Sequence, residues 1–128
     1  MKKKILSLLF IVMLLPCMFL FTACGEPKSV ANTTYVYAKC EVTGDVSKSD
    51  TESAWQNYSF RFKDTTVEAY NGTELDEIYN YSYKNNVATL EPQDELYTTI
   101  KLKANGEYLV YEKTVPKGTI KVYFKVSV

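Results

Sequence analysis

From Thr119 to Val126 the chain alternates Ile120, Val122, Phe124 and Val126 with Lys121, Tyr123 and Lys125, and the same two-residue rhythm recurs through most of the sequence after Thr33. Alternation sends successive side chains to opposite faces of an extended strand, so it calls for sheets with one buried and one solvated face. No helix-length pattern competes with it in that region. Thr34 to Val42 places Val36, Ala38, Cys40 and Val42 on one face and Tyr35, Tyr37, Lys39 and Glu41 on the other. On that face Cys40 reads as a small buried hydrophobe. Trp55 to Lys63 gathers Tyr58, Phe60 and Phe62 on one side, against Asn57, Ser59, Arg61 and Lys63.

The turns fix the pairing. Gly44 to Ser53, rich in Asp, Ser, Lys and Thr, reads as a mobile loop. Thr65 to Tyr70 is a short strand. The Asn71-Gly72 step after it is a strong hairpin signal, yet it would set Ala69 against Glu74 and Val67 against Asp76, so Thr73 to Glu77 is expected to be irregular or a single helical turn. A turn at Asn85-Asn86 works better, pairing Tyr83 with Ala88 and Tyr81 with Leu90 on one face, as a half-buried register demands. A turn at Asn105-Gly106 pairs Leu102 with Leu109 and Ile100 with Tyr111. Val115-Pro116-Lys117-Gly118 fits a type I turn. About eight strands at short, consecutive spacings predict an all-β fold, a single antiparallel up-and-down β-barrel that closes on itself to remove its edges, with a β-sandwich as the alternative.

Before this region lies a different kind of sequence. Met1-Lys2-Lys3-Lys4 precedes an apolar run from Ile5 to Phe21, the layout of an export signal with an N-terminal helix. Phe21-Thr22-Ala23-Cys24 resembles the lipobox of bacterial lipoproteins. That resemblance implies a signal peptide over 1–23, cleavage before Cys24, and a diacylglyceryl group on the Cys24 thiol, since two acyl chains are needed for a stable anchor. The implied location is the extracytoplasmic face of the cell membrane. Residues 24–32, with Pro27 and mostly polar side chains, read as a lipidated cysteine and short spacer, and 33–128 as the folded domain.

Composition removes several functions. The chain has no histidine, and so lacks the commonest general base and metal ligand. It carries 15 basic and 15 acidic side chains, and loss of Lys2, Lys3 and Lys4 with the leader leaves 12 against 15, a net charge of −3. Charges scattered in this way leave no footprint for nucleic acid and no basic patch for anionic lipid. Glu74, Asp76 and Glu77, and Asp94 with Glu95, form local carboxylate groups without metal-ligand spacing. They read as solvated loop charges, so the sequence implies no enzyme, no cofactor and no metal site.

The domain resembles the small lipocalin-like barrels of bacterial lipoproteins through Trp55-x-x-Tyr58-x-Phe60-x-Phe62, Val67-Glu68-Ala69-Tyr70-Asn71-Gly72, Tyr79-x-Tyr81-x-Tyr83-x-Asn85-Asn86 and the lysine-flanked last strand. The resemblance implies a fold and a location but no particular activity. A binding module is the expectation, with the inward aromatics Tyr58, Phe60, Phe62, Tyr81 and Tyr83 either lining a site for a small apolar ligand or filling the core. An alternative places Tyr35, Tyr37 and Tyr123 outward as a patch for an envelope protein or glycan, including a wall-hydrolase inhibitor role.

Overall fold

The computed structural model describes residues 26–127; the leader expected over 1–23 and the lipidation expected at Cys24 lie outside the described residues. Eight strands and one short helix follow in order: β1 (Thr34–Gly44), α1 (Lys48–Trp55), β2 (Tyr58–Phe62), β3 (Thr66–Asn71), β4 (Glu74–Lys84), β5 (Val87–Pro92), β6 (Ile100–Asn105), β7 (Tyr108–Val115) and β8 (Gly118–Val126). Every strand pairs antiparallel with its sequence neighbour, and β8 closes onto β1, giving an up-and-down barrel with no open edge. The seam brings two glycines face to face. A Cβ on Gly118 would sit 1.9 Å from the Thr43 carbonyl oxygen, and one on Gly44 2.2 Å from that of Lys117.

Alternation sets the interior. Phe60, Phe62, Val67, Leu90, Leu102, Leu109, Val122 and Phe124 are buried, and Cys40 joins them as expected from its strand face. The Asn85-Asn86 hairpin has the predicted register, with Tyr81 opposite Leu90 and Tyr83 opposite Ala88. Both asparagines take a positive φ, which asparagine tolerates better than most residues.

Other expectations are corrected. Leu102 pairs with Tyr111 and Ala104 with Leu109, because the turn falls on Gly106-Glu107, with Gly106 supplying the positive φ at the first central position. The displacement is even, so the same residues still face inward. Thr73 to Glu77 is not helical and is mostly strand: the turn falls on Gly72-Thr73 and not on Asn71-Gly72, β4 begins at Glu74, and its one irregularity is a bulge between the Tyr70–Leu75 and Ala69–Glu77 pairs. Asp76 is the extra residue. A second bulge, between Tyr37 and Lys39, reverses the expected faces of early β1. Tyr35 is therefore buried against Phe62 and Tyr37 packs on the core, so neither is outward.

The loop expected over Gly44 to Ser53 contains α1. Ser47 caps it by accepting from the Asp50 amide at 3.2 Å, and the helix ends with Trp55, which belongs to it and not to the following strand. Trp55 stacks on Tyr58, Tyr111 and Phe124 and closes the barrel mouth on that side. The other mouth is closed by residues 26–33. Val30 is 1% exposed, and Tyr83 donates its hydroxyl to the Pro27 carbonyl at 2.6 Å. The stretch expected to be a spacer is thus docked on the domain.

Candidate functional site

An up-and-down barrel puts its connections at two ends. The end holding residues 26–33 also carries the β2–β3, β4–β5 and β6–β7 turns. The opposite end carries α1 and the β3–β4, β5–β6 and β7–β8 connections.

The five inward aromatics belong to one hydrophobic core and are strung along the barrel. Phe60 and Phe62 are at its centre, 0% and 1% exposed, with Phe60 packed edge-on to Phe124 at 5.0 Å and Phe62 edge-on to Tyr81 at 5.0 Å. Tyr81 and Tyr83 lie toward the residue 26–33 end, where their hydroxyls donate to the carbonyls of Lys63, at 2.6 Å, and Pro27. Tyr58 points to the other end. The hydroxyls of these two half-buried tyrosines thus find backbone partners.

Concave spaces occur elsewhere. One of about 350 Å³ lies on the outer wall over β6–β8, lined by Lys103, Val110, Glu112, Lys121 and Tyr123. Another, of about 310 Å³, lies beside α1 against Ile120. Tyr123, expected as an exposed anchor, is 8% exposed: it donates to Glu41 at 2.9 Å, stacks on Tyr108, and is covered by the Lys39 ammonium 4.7 Å above its ring. With Tyr35 and Tyr37 inside, no outer tyrosine patch forms.

The α1 end is where polar and apolar groups converge. Tyr58 donates to the Asp76 carboxylate, and burial first, then this bond, pushes its phenol far above the usual range. The β4 bulge aims Asp76 at Tyr58. The β5–β6 loop folds onto the same spot: Tyr97 donates to the Asp76 carbonyl at 3.5 Å, and the Asp94 amide donates to Glu77 at 3.3 Å. Asp76 also pushes the Tyr97 phenol up. This packing leaves Leu96 88% exposed, Leu75 48% and Tyr97 37%. The signal that sequence reasoning missed is the combination: acidic β4 and β5–β6 segments, each with an exposed leucine, are brought together by a bulge that alternation does not reveal.

Among the described residues no group of three potential metal ligands is found, and no helix is long and apolar enough to cross a membrane. The fold and rim define a closed eight-stranded antiparallel barrel with an acidic, partly apolar end. The chain matches no protein-family model, no curated protein and no solved structure.

Proposed function

We propose that this protein is a lipoprotein held on the extracytoplasmic face of the cell membrane through a diacylglyceryl group on Cys24, and that it is a non-enzymatic binding module. Its ligand is an envelope protein or peptide that presents basic and apolar side chains to the α1 end. The observation that carries the reading is the exposure of Leu75, Leu96 and Tyr97 beside Asp76, Glu77 and Asp94, on a barrel whose central aromatics pack on one another. Charge complementarity selects the partner. Between Asp64 and Ile100 the only cation is Lys84, which lies at the opposite end. Exposed apolar groups ringed by one sign of charge bind by burying the former and pairing the latter.

A photo-crosslinking side chain at Leu96, with Thr89 on the outer wall as control, tests this in the native host. A protein adduct specific to Leu96, weakened by salt and by Asp76→Asn with Asp94→Asn, is the expected result. Equal adducts at both positions overturn the surface reading. A small apolar molecule retained by the purified protein in native mass spectrometry moves the site to Tyr58, Phe60, Phe62, Tyr81 and Tyr83.

A further inference from the structure

We infer that the residue 26–33 end of the barrel rests directly on the membrane as a lysine-ringed base for anionic headgroups, so that the acidic α1 end faces away from the bilayer. The inference rests on the proposed acylation of Cys24. Its first support is where the described chain begins. The Glu26 carboxylate accepts from the Gly106 amide at 3.4 Å, Pro27 accepts from Tyr83, Val30 is buried, and Thr33 accepts from the Phe62 amide at 2.9 Å. From Glu26 onward the chain has no slack. Cys24 precedes Glu26 by two residues, which span at most about 7 Å when fully extended. Acyl chains on that sulfur then hold the β6–β7 turn at headgroup depth, and the domain has no room to stand off.

The second support is charge. Along the sequence basic and acidic residues look scattered, but the barrel sorts them by end. Lys28, Lys63, Lys84, Lys103 and Lys125 are exposed around the residue 26–33 end. Against these five lysines stand three carboxylates, Glu26, which accepts from Gly106, Asp64, which accepts from the Asn32 side chain at 3.1 Å, and Glu107, so the end carries an excess of two lysines. Lys63 also reaches Glu68 at 3.9 Å, an exposed pair that salt readily screens. At the other end nine carboxylates, within 45–52, 74–77 and 91–95, stand against Lys48, Lys101, Lys113 and Lys117. An anionic leaflet attracts the first end within about a Debye length of 8 Å and repels the second. Tether and charge therefore choose the same orientation.

The test uses the acylated protein reconstituted into vesicles of phosphatidylcholine alone, or mixed equally with phosphatidylglycerol. A fluorophore is placed at Asn105→Cys near the base or at Ser53→Cys on α1, and headgroup-brominated lipid is the quencher. We expect Asn105→Cys to be quenched at least about threefold more than Ser53→Cys, with an increment in phosphatidylglycerol that 1 M salt removes, the Debye length there being about 3 Å. Lys84→Gln with Lys125→Gln should remove most of that increment. Equal quenching at the two positions, with acylation verified by mass, overturns the inference alone. A mass without the acyl group overturns the proposed anchoring and this inference with it. An orientation that ignores both salt and the double variant overturns the lysine contribution.

Discussion

The phenol of Tyr79 is 2% exposed and is pushed up to about 12, by burial first and then by Asp76 and Glu77. An unfolded tyrosine ionises near 10, so the folded chain keeps a proton that the unfolded chain loses. The stability this represents is intact below pH 10 and is lost as pH rises from about 10 to 12, on the order of 2 kcal/mol. Urea denaturation at pH 8 and pH 11.5 should show that loss in the native chain and a smaller one in Tyr79→Phe; identical losses would contradict it. Tyr37, pushed up to about 12 by burial and then by its bond to Cys40, adds to the same alkaline limb. Single residues also mark where sequence reasoning reached. The burial of Cys40, Phe60 and Phe62 follows from their place in an alternating run. The inward turn of Tyr35 and Tyr37 does not, because one bulged residue reverses every face before it.

At the scale of elements, α1 is the piece that composition concealed. Lys48-Ser-Asp-Thr-Glu-Ser-Ala-Trp55 is polar enough to read as loop, and its one large apolar anchor sits at its last position. The available signal was Ser47 with Asp50 three residues on, a capping arrangement. Ser47→Ala should cost about 1 kcal/mol and loosen the helix. Because Trp55 is the only tryptophan, its emission should shift to the red and its quenching by acrylamide rise, while the strand circular dichroism stays unchanged. The hairpin at Asn85-Asn86 was legible because its turn residues and facing side chains agreed, whereas the same agreement at Asn105-Gly106 placed the turn one residue early. At Asn71-Gly72 the signal marked a hairpin but placed its turn one residue early: the turn falls on Gly72-Thr73, and the bulge at Asp76 shifts the pairing by one residue more. The rim was hidden for the same reason: its geometry depends on an insertion of one residue and on a loop folded against it.

For the whole molecule, closure depends on the β1–β8 seam and its two facing glycines. Gly118→Ala forces a carbon into the Thr43 carbonyl and should cost about 3 kcal/mol, as overpacking against an immobile backbone does. Gly72→Ala, with φ +68 but open space around it, should cost only about 1 kcal/mol from its backbone conformation. A comparison of their urea midpoints checks the difference; equal costs would mean that the seam tolerates separation. The seam also joins the first strand to the last, each edge of β1 and β8 waiting on a partner more than seventy residues away in sequence. During synthesis, then, the nascent polypeptide is a ribbon with two sticky margins until residues 118–126 have emerged. That is the interval in which a holding chaperone matters most, since long-range pairings form late and expose such margins to other chains.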